Sequence, residues 1–267
     1  MEKLYDNHIH TISSFDGNDN IDSICRSVIK NKISGIAITD HCDMNGYTDS
    51  GLGAAIKASV DNAVKAKEKY KDSLDVICGI ELGQPLQNLS ETEKLMENLK
   101  LDFTLASLHN INNLDDFYYI DYKAYDIYYL LDRYFNELLE MVMWGNFDCL
   151  AHLTYPVRYI CGEHKIKVDL KRYDDIVEHI LKLLATNGKA LEINTSGLFQ
   201  PLAETIPGKR YIKLFKEVGG EFITIGSDSH FGRYAGRGIL DGAEIAVDAG
   251  FNYCCYYKNH IPSMIKL

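Results

Sequence analysis

The chain is short of positive charge. Its 267 residues carry 28 Lys and Arg against 38 Asp and Glu, a formal net charge of -10. No basic field is available to attract phosphate chains, which argues against nucleic-acid and anionic-membrane partners. Proline is scarce, at five residues, and no Pro/Gly/Ser-rich linker interrupts the sequence, so a single domain spanning 1–267 is expected. No apolar run approaches the roughly 18 to 20 residues that cross a bilayer. With the start MEKLYDNHIH running straight into the first motif, no signal peptide is expected. The seven cysteines form no CxxC pair, and most fall in apolar segments such as DVICGI and FDCLAH. That pattern excludes a disulfide scaffold or thiolate zinc site and implies a reducing, cytoplasmic setting.

What is present is a regular alternation. Short apolar runs at Leu4–His8, Gly35–Thr39, Leu74–Gly79, Phe103–Ser107, Cys149–His152, Ala190–Ile193 and Phe222–Gly226 read as strands, with a last Tyr/Cys-rich run at Asn252–Tyr257. Helical stretches fall between them at Ile21–Asn31, Leu52–Tyr70, Ser90–Leu99, Tyr122–Trp144, Leu170–Asn187, Tyr211–Val218 and Gly238–Ala249. Strand–helix alternation on this scale predicts an α/β fold with a mainly parallel sheet. Because chemically active residues follow the strands throughout, a closed TIM-like barrel with its site at the C-terminal mouth fits better than an open sheet.

Six of the nine histidines close these runs: His8 and His10 in DNHIH, His41 in TDHCD, His109 in SLHN, His152 in AHLTYP and His230 in GSDSH. Asp16, Glu81 in GIELG, and Asp228 stand with them. Residues two apart on a strand share a face, so His8 with His10, and Asp228 with His230, can address one ion. Each motif alone has a plainer reading, as a pair of exposed imidazoles or a loop histidine with a satisfied hydrogen bond. A carboxylate directly after a buried strand, as at Glu81, is costly unless paired or coordinated, and its two oxygens can bridge two cations. Convergence at successive strand ends turns nine separate nitrogen and oxygen donors into one multinuclear metal site. Asp40 is placed to orient the His41 ring, while His164, His179 and His260 are read as structural or surface residues.

The ordered set HxH, TDH, GIE, LH, AH and DSH resembles the polymerase-and-histidinol-phosphatase (PHP) superfamily, from about Asp6 to His230. The length, the lack of extra domains and the AHLTYPVRYI segment look most like its monofunctional histidinol-phosphate phosphatases. The resemblance implies a distorted (βα)7 barrel and three divalent metal ions, zinc, iron or manganese. It implies that His8, His10, Glu81 and Asp228 hold one ion, and that Glu81 bridges to a second ion completed by His109 and His152. Asp16, His41 and His230 would hold the third, with Asp19 the substitute for Asp16. Glu81, Asp228 and His230 would then also be catalytic.

The expected reaction is hydrolysis of a small phosphomonoester, histidinol phosphate, by a hydroxide bridging two of the ions. The ions would supply the positive field that the acidic chain lacks. Arg158 is the first choice for a phosphate clamp, and Lys209, Arg210 and Arg233 are candidates for a second, because Gln200 occupies the neighbourhood where the family often carries a basic residue. The segment Phe117–Phe135 holds seven of the 18 tyrosines, which read either as an aromatic wall over the substrate or, preferably, as a helix packed on the barrel or on a second copy of the chain. The alternatives are a phosphoesterase of other specificity, acting on a nucleoside monophosphate or phosphotyrosine, and a non-catalytic metal-binding regulatory module.

Overall fold

The computed structural model describes residues 3–47 and 51–267. Among the described residues ten strands are present: β1 (Tyr5–Ile9), β2 (Gly35–Ile38), β3 (His41–Asp43), β4 (Asp75–Gly83), β5 (Phe103–Ser107), β6 (Cys149–Leu150), β7 (Ala190–Asn194), β8 (Ile223–Gly226), β9 (Tyr253–Lys258) and β10 (Ile261–Lys266). The α-helices are α1 (Ile21–Lys30), α2 (Leu52–Tyr70), α3 (Leu89–Asn98), α4 (Ile127–Trp144), α5 (Tyr155–Val157), α6 (Asp174–Thr186), α7 (Lys209–Glu217) and α8 (Ile239–Asp248).

The strands pair in parallel in the order β1-β2-β4-β5-β6-β7-β8, with β3 also on β4. Gly35 faces Asp75 and His41 faces Glu81, so β2 and β3 keep one register and act as one strand interrupted at Thr39–Asp40. The sheet nearly closes into a seven-stranded barrel. At the seam, the Asp228 N–H donates to the His8 carbonyl at 2.9 Å and the His10 N–H to the Ser229 carbonyl at 3.0 Å. Strands buried on both faces read as near-continuous Val/Ile/Leu runs, and Ile36, Ile38, Ile77, Leu105, Leu191, Ile193 and Ile223 are all buried. Among the described residues no helix is long and apolar enough to cross a membrane.

Several expected segments shift at their ends, β4 running on to Gly83 and β6 stopping at Leu150, and two differ more. The expected helix Tyr122–Trp144 begins only at Ile127, because the Asp126 carboxylate accepts the amides of Tyr128 and Tyr129 and caps the helix there. Its stretch of tyrosines therefore divides between a loop and α4. The last tyrosine-rich run is one arm of a hairpin: β9 pairs antiparallel with β10 through a tight turn in which Asn259 and His260 have φ of 49° and 61°. This hairpin covers the N-terminal ends of the strands. Tyr256 stacks on Tyr5 with ring centroids 4.0 Å apart, and the Tyr257 hydroxyl donates to the Asp148 carbonyl.

Candidate metal centre

The opposite end of the barrel gathers the histidines. His8 and His10 lie at the end of β1, both fully buried, with their Nε2 atoms 3.0 Å apart. Asp228, just beyond β8, brings Oδ1 to 3.6 Å from His8 Nε2 and 3.4 Å from His10 Nε2. Its backbone is left-handed, with φ of 52°. That conformation is unfavourable for an aspartate and is retained where a site demands it. Gly226 precedes it for a steric reason, since a Cβ there would lie 2.5 Å from both the His8 Cβ and Glu192 Oε1.

Glu81, fully buried in β4, is the hub. Its Oε1 lies 3.0 Å from His109 Nε2 and 2.9 Å from His152 Nε2. Its Oε2 lies 2.7 Å from His41 Nδ1 and 3.6 Å from both His8 and His10 Nε2. One carboxylate thus faces five imidazoles. Asp16 reaches the same nest at 3.1 Å from His230 Nε2 and 3.6 Å from His41 Nε2. Asp19 does not, because its carboxylate accepts the Gly232 amide at 2.8 Å.

The electrostatics explain how so many ionisable groups share a buried volume. Burial depresses His8, but Glu192, Asp228 and Glu81 override it and hold the imidazole well above the usual histidine range. His10 is held well below that range by burial, together with the charges of His230 and His41. Burial would raise Glu81, yet His109, His41 and His8 pull it well below the usual carboxylate range. Against burial, Glu81 and Asp43 push His109 up to about 10.

The donor set fits metal ions. His152 Nδ1 is buried without a hydrogen-bond partner, and Glu81 Oε2, His41 Nδ1 and His230 Nε2 make no well-aligned hydrogen bond despite the carboxylate–imidazole approaches of 2.7 and 3.1 Å, a cost that native interiors avoid unless something else satisfies the atoms. Four triads of ligand atoms, each within 4.8 Å of one another, occur among the described residues: His10/His41/His230, His8/Glu81/His152, His8/His10/Asp228 and His41/Glu81/His109. They overlap, sharing His8, His10, His41 and Glu81, so the nest is continuous. Nitrogen with carboxylate oxygen suits zinc, iron or manganese.

A cavity of about 420 Å³ opens onto the nest, lined by Asp16, His41, His109, His152, Asp228 and His230 and by Asp43, Asp116, Arg158 and Gln200. Arg158 donates to Asp228 Oδ2 at 2.9 Å and Ser196 Oγ at 2.7 Å, and its plane lies against Tyr155 and Tyr159. It opens a π-helical turn, Arg158–Glu163, of a kind that favours functional sites. Lys209, Arg210 and Arg233 do not line the cavity. Lys209 pairs with Asp248 and Arg210 with Asp174 in exposed ion pairs, and Arg233 lies over Phe231 and Tyr234. Their contacts lie away from the residues that line the cavity.

Of the tyrosine segment, Tyr118 and Tyr119 line the cavity while Tyr134 packs in the core. Three acidic contacts were absent from the sequence reading. Glu192 lies 2.7 Å from His8 Nδ1, Asp43 lies 3.0 Å from His109 Nδ1, and Asp116 sits on the cavity wall accepting the Tyr155 hydroxyl at 3.0 Å. The signal for Glu192 was available: a glutamate inside the buried strand ALEIN needs a partner. Asp40 does not address the His41 ring; it accepts from Thr11, Ser14 and Ser59 instead.

Comparison with known proteins agrees with this geometry. A family model described as the PHP domain matches residues 6–196. The chain is 32% identical over 237 residues to a Thermotoga maritima protein named a probable histidinol-phosphatase, covering 88% of each. It is 28% identical to the Lactococcus lactis histidinol-phosphatase, over 94% of this chain and 93% of the relative. The crystal structure of the Lactococcus lactis histidinol phosphate phosphatase complexed with zinc, L-histidinol and phosphate has a TM-score of 0.83 at 25% identity. That likeness covers 98% of this chain and 99% of the other.

Proposed function

The chain belongs to the PHP domain family, and on that premise we propose that it hydrolyses L-histidinol phosphate to L-histidinol and phosphate. It is then a phosphoric monoester hydrolase of histidine biosynthesis, working with three divalent ions, zinc, iron or manganese. The observation that carries the reading is a shared wall: Arg158 and the histidine nest line one cavity. The relatives' names and the bound ligands of the Lactococcus lactis structure support the choice of substrate.

His8, His10, Asp16, His41, Glu81, His109, His152, Asp228 and His230 would hold the ions. Divalent ions in such a donor set act as Lewis acids and lower the pKa of water. The chain's own groups position the substrate. Arg158, pinned between Asp228 and the two tyrosines, brings its guanidinium to the cavity wall, where it can give a phosphate oxygen a charge-assisted bond. Phe15, Tyr118 and Tyr119 offer aromatic faces, and Asp116 a carboxylate, to a small cationic ring-bearing leaving group. Burial raises Asp116 above the ordinary carboxylate range. The setting is cytoplasmic in this reading, supported by seven free cysteines.

The test is a comparison of kcat/KM on histidinol phosphate, AMP, phosphotyrosine peptides and p-nitrophenyl phosphate with the metal-loaded protein. Histidinol phosphate is expected to lead. Turnover of it no faster than of p-nitrophenyl phosphate would end the substrate assignment, and no turnover of any ester would end the catalytic one.

A further inference from the structure

Ser14 is buried beside the nest, in the loop after β1. Its hydroxyl oxygen has three polar neighbours: Asp40 Oδ1 at 2.7 Å, the His41 backbone N–H at 3.0 Å and His10 Nδ1 at 3.2 Å. A hydroxyl has one proton and two lone pairs. The His41 amide can only donate, so it takes one lone pair. The Asp40 carboxylate also accepts the Thr11 amide at 2.6 Å, the Thr11 hydroxyl at 2.8 Å and the Ser59 hydroxyl at 2.5 Å. With all its neighbours donating, it accepts the Ser14 proton. One lone pair of Ser14 is left, and it points at His10.

We propose that Ser14, anchored by Asp40, is a positioning residue that fixes His10 as the Nδ1–H tautomer and so turns the lone pair of Nε2 into the metal nest. His10 Nδ1–H is the one donor that completes the Ser14 hydroxyl, and Nε2 is the atom lying 3.0 Å from His8 Nε2 and 3.4 Å from Asp228 Oδ1. Glu192 does the same for His8 and Asp43 for His109 by direct contact with Nδ1. At His10 a serine stands between carboxylate and ring. Because Thr11, Ser14 and Asp40 are tied together, the device also holds the start of the loop that carries Asp16. The inference rests on the metal reading given above.

Two measurements on the full-length protein test it. Long-range nitrogen–proton spectra of the histidine rings, recorded after chelation, should show His10 protonated at Nδ1. Asp40→Ala, which removes the acceptor of the Ser14 hydroxyl, should release that proton towards His10 and shift the ring to the other tautomer, whereas Asp40→Asn, whose carbonyl oxygen still takes the Thr11 amide and Ser14 at the Oδ1 position, should leave it unchanged. Zinc retention against a graded chelator should weaken by about 10- to 100-fold in Ser14→Ala, the range for second partners of metal ligands, with recovery in Ser14→Thr. An Nε2–H tautomer in the parent protein overturns the proposal, as does unchanged zinc retention in Ser14→Ala. Should Ser14→Ala fail to fold, the parent spectrum and the Asp40 pair still decide. A parent protein that takes up no zinc overturns the metal reading instead.

Discussion

The two ends of the barrel use the same residue types to opposite ends. At the floor, His260 Nδ1 lies 2.8 Å from Asp148 Oδ2, which also accepts the Thr104 amide. Asp102 likewise accepts from Lys67, the Cys78 amide and the Asn259 amide. These carboxylates are answered by donors from the chain itself, and the result ties the β9–β10 hairpin to the strands. At the mouth, imidazoles and carboxylates converge with four buried atoms that make no well-aligned hydrogen bond and with two Nε2 atoms 3.0 Å apart. Local satisfaction marks a structural site; concentrated dissatisfaction in a cavity marks one completed from outside.

That contrast can be broken by experiment. Chelation should abolish phosphatase activity and lower the melting temperature, with both restored by added divalent ion. At ion concentrations about 100 times Kd the bound state gains about 2.7 kcal/mol, roughly 5–10 °C for a chain of this size. An unchanged melting curve and rate after verified metal removal would place the mouth in the same class as the floor.

Next in size, Asp228→Ala or His10→Ala should cut kcat/KM by about 10³-fold, since each removes a group on which charge stabilisation depends. Metal analysis of the same samples is essential: metal loss with full activity would make the nest structural. Arg158→Ala should lose about 10²-fold in kcat/KM. Arg158→Lys should recover only part, because a point charge does not replace a planar fork.

The smallest effect is expected at the floor. His260→Ala should leave kcat/KM unchanged and cost about 1 kcal/mol of stability by denaturant melting. The pH dependence separates the ends further. Its hydrogen bond with Asp148 raises His260 above the usual histidine value, so its contribution is fully present below the unfolded value of about 6.5 and fades as pH rises through the folded value. The deficit of His260→Ala should therefore be largest in mild acid and shrink in alkali. Metal uptake at the mouth should run the other way, since His8, His41 and His109 are raised and must give up protons to bind. Floor and mouth responding to pH in the same direction would refute the distinction.

Much of the fold was legible locally. Phe103–Ser107 and Leu52–Tyr70 match their elements to the residue, because the first is short, apolar and bounded and the second is long. Boundaries failed where a side chain intervened, as Asp126 does at the start of α4. The turn at Asn259 and His260 hid β10, since neither residue is the glycine that usually announces such a turn. In the site, the nine ligand candidates were visible because strand ends in a parallel barrel all open at one mouth. The basic residues were not. Lys209, Arg210 and Arg233 look alike in sequence to Arg158, and only the tertiary structure places Arg158 in the cavity wall and the others against Asp248, Asp174 and two aromatic rings.

The sequence by itself determined the class of fold and the identity of the donors, because hydrophobic periodicity and residue chemistry are properties of short segments. Tertiary structure decided which donor meets which: Glu81 at the centre, Asp16 rather than Asp19 at the rim, and Glu192, Asp43 and Ser14 behind the imidazoles. Those pairings join residues as distant along the chain as Asp16 and His230. They depend on strand register and on where each ring nitrogen points, and no local pattern encodes either.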